Sequence, residues 1–230
     1  MDRSIWIIAS ELIDVFLGFL EREVNDMSKF TEYIGSPFGN PRGFVGKVCC
    51  LIMNIINKAM YKNTVSVIEL SSDGNLLDIG YGNGYLLNCV YKKTKANLYG
   101  IDISEDMKIQ ATKRNKKALS DGKLFLDIGD CCDLKYTDDF FEAVTSINTV
   151  YFWGDTIKGL SEIHRTLKSG GSFYNVVYTK EWLDKLSYTE KGFKKYEPEE
   201  LARFGKAAGF ENIQVKDIVK GKSFVVIYTK

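Results

Sequence analysis

The chain has 230 residues, of which 45% are apolar and 27% charged; these are ordinary globular proportions and exclude a disordered or fibrous chain. Thirty-one Lys and Arg stand against 30 Asp and Glu, a net charge of +1. A protein that worked by neutralising phosphates would carry a larger basic excess, so nucleic acid drops out as a partner.

Near the N-terminus, Ile5, Ile8, Leu12, Val15 and Phe19 step by three and four while Glu11, Asp14, Gly18 and Arg22 form another stripe, which predicts an amphipathic helix. Glu11 and Asp14 interrupt the apolar run, so it reads as neither a membrane span nor a signal peptide. Its acidic stripe would be repelled by anionic lipid, and no stable membrane insertion is expected. Met27 can itself begin a compact domain, which makes 1–26 an appendage. A turn-rich loop, Ser36 to Gly43, holds two of the three prolines. Helices are predicted next at Val45 to Lys62 and near Val65 to Ser71, so 1–72 reads as an N-terminal helical cap.

From residue 73 onward the pattern alternates. Strands are predicted at 76–79, 98–102, 124–126, 143–147 and 172–177. Between them lie helices at Tyr85 to Lys92, at Glu105 to Leu119 with Ser104 as N-cap, and at Thr156 to Leu167, ended by Ser169-Gly170-Gly171. Pro198 opens a further helix at its first position. Ile213 to Asp217 and Ser223 to Tyr228 face each other across Lys220-Gly221-Lys222 as a hairpin. The expected fold is α/β: a Rossmann-like, doubly wound, mostly parallel seven-stranded sheet with a C-terminal antiparallel hairpin, spanning 73–230 with a cap insert at 178–196. Such sheets bind ligands beyond the carboxyl ends of their strands.

Of the five cysteines, four form the adjacent pairs Cys49-Cys50 and Cys131-Cys132, with no C-x-x-C or Cys/His ligand spacing. They read as reduced thiols of a cytoplasmic protein without a metal site. The loop after the first core strand is Asp78-Ile79-Gly80-Tyr81-Gly82-Asn83-Gly84. Alternate glycines let the backbone turn sharply and approach a ligand closely, and the following helix points free N–H groups at it. A dinucleotide loop wants its third glycine at the sixth position, where Tyr85 stands. Asp78 beside the loop repels phosphate and attracts a cation, so a ligand without a pyrophosphate fits better.

These features resemble the class I S-adenosylmethionine-dependent methyltransferases, in particular the type 11 group, over roughly Phe38 to the C-terminus. Leu76 to Gly84 is similar to that family's first motif, which wraps the methionine part of the cofactor. Asp102 ends the second strand 24 residues after Asp78, where the family holds the ribose hydroxyls. Gly129-Asp130 resembles the pair whose Asp meets the adenine amino group. Leu167-Lys168-Ser169-Gly170-Gly171 is similar to the turn before strand five, with Ser in place of Pro. The resemblance implies S-adenosyl-L-methionine as cofactor and Asp78, Gly80, Tyr81, Gly82, Asn83, Gly84, Asp102, Ile103, Asp130, Cys131 and Asn148 as its binding residues.

On the acceptor side stands Asn148-Thr149-Val150-Tyr151-Phe152-Trp153, after strand four. It lacks the Asn/Asp-Pro-Pro-Tyr/Phe of base N-methylating enzymes. Its aromatic run either walls a planar acceptor or packs under the cap. Asn148 and Tyr151 are the candidate catalytic residues. The insert carries Trp182, Tyr188 and Phe193 among five lysines, which greet an anionic acceptor or form a solvated face. His164, mid-helix, reads as a packing or surface residue. Tyr33, Phe38 and Phe44 are further candidates for closing over the cofactor. The function expected is methyl transfer to a small molecule by a monomer or homodimer. A non-catalytic cofactor-binding subunit and an NAD-dependent oxidoreductase are the alternatives.

Overall fold

The computed structural model describes residues 54–186 and 189–230. The amphipathic helix near the N-terminus, Tyr33, Phe38, Phe44, the Cys49-Cys50 pair and Tyr188 lie outside the described residues. Helix α1 (Lys58–Val67) leads to β1 (Asn75–Ile79), α2 (Tyr85–Tyr91), β2 (Asn97–Asp102), α3 (Glu105–Arg114), α4 (Lys116–Ser120), β3 (Leu124–Ile128) and β4 (Phe141–Ile147). There follow α5 (Thr156–Thr166), β5 (Leu167–Tyr178), α6 (Lys180–Leu183), α7 (Pro198–Ala207), β6 (Asn212–Val219) and β7 (Ser223–Thr229). No helix among the described residues is long and apolar enough to cross a membrane.

The seven strands form one sheet in the order β3-β2-β1-β4-β5-β7-β6. Strands β1 to β5 pair in parallel, and β7 runs antiparallel between β5 and β6, as the alternating pattern and the terminal hairpin predict. From β1 the chain winds outward through β2 to β3, then returns to β4 on the other side. The switch point lies between β1 and β4, and ligands enter such sheets in the crevice above it. Burial on both faces explains why β1 reads as a continuous apolar run rather than an alternation. The exception is Asp78, a carboxylate at 3% exposure in a strand paired along both edges.

Three of the helix boundaries that differ from the sequence reading have a visible cause. The helix predicted at 105–119 breaks at Asn115 into α3 and α4. There the buried Asn115 amide donates to the carbonyls of Gly84 and Ala111, both at 3.0 Å, and its oxygen accepts from Asn88 at 3.1 Å. No separate helix forms at 65–71. Helix α1 runs through Lys62 to Val67, and Ile68 turns extended, in keeping with the lower helix propensity of a β-branched residue. Helix α5 ends at Thr166, because Leu167 is already extended; Ser169-Gly170-Gly171 belongs to the irregular start of β5, where the register against β4 shifts.

Helix α7 packs on β7 through Gly205. A Cβ there would lie 2.3 Å from Tyr228 Cε1 and 2.9 Å from Ile213 Cδ1. Tyr228 is fully buried and its hydroxyl donates to the Leu201 carbonyl at 3.1 Å, so it has nowhere to retreat. Gly205→Ala is expected to cost about 1–3 kcal/mol of stability by overpacking, read as a lower urea midpoint with an unchanged m value.

Candidate functional site

A cavity of about 210 Å³ opens over the carboxyl ends of β1, β2, β3 and β4. Its wall brings together Asp78, Gly80, Tyr81, Gly82, Asn83, Asp102, Ile103, Asp130, Cys131 and Asn148, residues spread over 71 positions of sequence. Gly84 stands outside that wall. It is the N-cap of α2, with φ 72°, and a Cβ on it would meet Asn115 Nδ2 at 2.4 Å. Its lack of a side chain therefore serves the packing of α2 on α3.

The loop after β1 is built from left-handed backbone. Gly80 has φ 68° and Gly82 φ 53°, conformations that cost a residue with a Cβ. The Gly80 N–H donates to the Ile101 carbonyl at 2.7 Å, which ties the loop to β2. A Cβ on Gly80 would lie 2.4 Å from Thr149 Cγ2, whereas one on Gly82 would meet nothing within 4 Å. Gly82 thus presents bare backbone to open space.

Asp102 holds this loop from the end of β2. Its Oδ2 accepts from the Gly82 N–H at 2.8 Å and its Oδ1 from the Ser104 N–H at 2.9 Å. Burial pushes its pKa up, and the backbone N–H groups of Gly82, Ser104 and Ile103 pull against that. Three N–H donors on the four acceptor positions of a carboxylate leave it room for a further donor. Ser104 also caps α3, accepting from the Met107 N–H at 3.4 Å, as predicted. Ile103 is 53% exposed, and so forms an apolar shelf at the cavity rather than part of the core.

Asp78 lies deeper. Burial drives its carboxyl from an ordinary 3.8 up to about 7; the Thr145 hydroxyl, donating at 2.8 Å, opposes the rise and Asp102 adds to it. Asp130 is exposed at the cavity edge, where its Oδ1 accepts from the Cys132 N–H at 2.8 Å. Among the described residues, the three acidic groups in the wall sit on the β1, β2 and β3 side.

The other side is neutral among the described residues and contains groups the sequence reading missed. Asn148 adopts φ 59°, an uncommon conformation for a side chain other than Gly. It is held there by a closed network. The Tyr178 N–H donates to the Tyr151 hydroxyl at 2.6 Å, and that hydroxyl donates to Asn148 Oδ1 at 3.0 Å. Asn148 Nδ2 donates to Asn57 Oδ1 at 3.1 Å, which also accepts from the Tyr178 hydroxyl at 2.6 Å. Asn57, an amide in the apolar run Ile55-Ile56, was the signal available for this corner. Phe152 and Phe193 meet edge to face at 4.7 Å, and Leu183 completes that wall with them. The aromatic run is thus divided: Phe152 stays partly exposed, whereas Tyr151 and Trp153 are buried.

The insert after β5 contributes Leu183 and Phe193 to the cavity, but its described lysines turn elsewhere. Lys185 pairs with Glu181, Lys195 with Asp184, and Lys194 donates to the Trp153 carbonyl at 2.6 Å. They form a solvated face. His164 packs edge-on against Phe210 at 4.9 Å, far along α5, and burial lowers its pKa.

Comparison with known proteins agrees with this geometry. The family model described as "Methyltransferase domain" matches residues 77–175. The Bacillus subtilis (strain 168) protein "Uncharacterized methyltransferase YdaC" is 29% identical over 166 residues, 72% of this chain and 87% of that protein. The "Ubiquinone/menaquinone biosynthesis C-methyltransferase UbiE" of Geobacter sp. (strain M21) is 30% identical over 118 residues, and the chain spans only half of its length. Among solved structures, phosphoethanolamine N-methyltransferase 2 of Haemonchus contortus, in complex with S-adenosyl-L-methionine, superposes with a TM-score of 0.64 at 18% identity. That match covers 76% of this chain and 52% of the other, and speaks to fold alone.

Proposed function

As the chain belongs to the class I S-adenosylmethionine-dependent methyltransferases, we propose that its cavity binds S-adenosyl-L-methionine and that the protein transfers the methyl group to a small-molecule acceptor in the cytoplasm. The observation that carries this reading is Asp102, a carboxylate in the cavity wall with both oxygens held by backbone N–H groups and acceptor capacity to spare. Vicinal ribose hydroxyls suit that pair of acceptors. Ile103 supplies an apolar surface for a flat base, and Asp130 accepts from an exocyclic amine. The uncovered backbone of Gly82 admits the amino-acid arm, close to the carboxylate of Asp78.

When bound, the cofactor supplies a methyl group on a positively charged sulfur. The chain's own contribution is then alignment, worth several kcal/mol when a nucleophile is held in line. Phe152, Phe193 and Leu183 exclude water from the acceptor side. Asn148, Asn57 and Tyr178 offer it a fixed neutral polar end, and Tyr151 positions Asn148. Asp78, titrating near neutrality, favours a cation once ionised. Membership of the methyltransferase family sets the nicotinamide alternative aside.

Isothermal titration tests the binding half: S-adenosylmethionine and S-adenosylhomocysteine both give saturable heat, and silence from both at millimolar concentration ends the reading. Because a positive sulfur favours the ionised Asp78, affinity for S-adenosylmethionine is expected to rise roughly tenfold between pH 6 and 8. The demethylated product, with a neutral sulfur, should rise less. Acceptor-dependent release of S-adenosylhomocysteine separates an enzyme from a cofactor-binding subunit.

A further inference from the structure

The sequence sets two thiols side by side, Cys131 and Cys132, just beyond β3. The backbone folds them into a tight turn in which the Asp133 N–H donates to the Asp130 carbonyl at 3.1 Å. The Cys132 thiol donates to the Asp155 carbonyl at 3.3 Å. In this turn both Sγ atoms and a carboxylate oxygen of Asp130 lie within 4.8 Å of one another. Cys131 belongs to the cavity wall, while Cys132 is partly exposed.

A direct disulfide would need the two sulfurs at about 2.05 Å, a demanding approach for adjacent residues. An atom seated between the sulfurs asks much less of the backbone, and soft thiolate ligands select soft centres. A divalent metal would have to find both thiols ionised, yet burial pushes both upward, Cys131 most strongly. A centre that carries the thiol protons away on its own departing oxygen avoids that cost. Monofunctional alkylating agents and peroxide, which need the thiolate, should react slowly here.

We propose that Cys131 and Cys132 form a vicinal-dithiol site for a trivalent arsenical at the edge of the cavity. An oxo compound R–As=O reacts with both thiols. Two As–S bonds form, the bond from arsenic to oxygen breaks, and the two S–H protons leave with that oxygen as water. No atom is oxidised or reduced. Ring closure draws the 130–133 turn together, and Asp130 and Cys131 in the cavity wall move with it, so the adduct and a cavity ligand exclude each other. That exclusion rests on the cofactor reading above; the dithiol chemistry does not.

Phenylarsine oxide on the full-length chain tests both halves. Peptide mapping of the unmutated protein is expected to place one bridging adduct on Cys131 and Cys132, a measurement independent of any variant's folding. A Cys49→Ser/Cys50→Ser chain should still take up one equivalent there, and adding Cys132→Ser should abolish it. An adduct mapped elsewhere, or uptake unchanged by Cys132→Ser in that chain, overturns the site. Saturating S-adenosylhomocysteine should slow adduct formation at least tenfold. An adduct at these residues that leaves S-adenosylhomocysteine affinity unchanged overturns the exclusion. A chain that takes up the arsenical but never bound S-adenosylhomocysteine refutes the cofactor reading and leaves the dithiol site standing.

Discussion

Asp102→Ala is expected to weaken S-adenosylmethionine and S-adenosylhomocysteine together, by roughly 10²–10⁴-fold, the loss of two charge-assisted hydrogen bonds at about 1.5–3 kcal/mol each. The parallel loss is the diagnostic feature, because ribose hydroxyls are common to both ligands while the methyl group is not. The substitution also strips acceptors from the Gly82 and Ser104 N–H groups, so part of the loss reflects a loosened loop. Asp102→Asn keeps one oxygen for one of these donors and should fall between the wild type and Asp102→Ala. Titration calorimetry of both variants, alongside thermal melts, checks this. An Asp102→Ala protein that binds either ligand within threefold of wild type would contradict the assignment.

Asp78→Asn should separate stability from binding. An acid whose folded pKa lies above its unfolded value takes up a proton on folding. Stability therefore falls as pH rises from about 4 through about 7, and stays reduced above that. The displacement from 3.8 to about 7 corresponds to roughly 4 kcal/mol at full ionisation. Asn cannot ionise and can still accept from Thr145. The variant is thus expected to be a few kcal/mol more stable than wild type at pH 8 and nearly equal at pH 4, measured by denaturant unfolding at both values. On the cofactor reading it also loses the pH-dependent part of its affinity for the positively charged cofactor. Unfolding midpoints that stay together at pH 8 would show that Asp78 is not held under burial stress.

The two residues differ in how visible they were beforehand. Asp78 and the glycines at 80 and 82 were legible because a strand and its following turn are local: a buried apolar run, a carboxylate and alternate glycines suffice to place them. Asp102 followed from the resemblance, which places an acidic residue at the tip of the second strand. Ile103 and Cys131 came into view only as neighbours of those positions. Asn57 remained hidden because its partner Asn148 is 91 positions away, and an amide in an apolar helix has no motif. Phe193 and Leu183 lay in an insert whose lysines left two readings open, an anionic acceptor or a solvated face. Only the fold shows those lysines turned outward onto Glu181, Asp184 and a carbonyl. Asn115 illustrates the same limit in the fold itself: its window is helical throughout, and the break comes from an amide committed to Gly84 at the N-cap of another helix.

Order of elements, parallel character and the glycine bend were determined within the sequence, because each depends on residues that touch within one turn or one crossover. The neutral half of the cavity, the strained Asn148 and the raised carboxyl of Asp78 were decided by tertiary structure. Each arises from groups distant along the chain that share a desolvated space, where burial and hydrogen bonding act on distance in three dimensions rather than on separation in sequence.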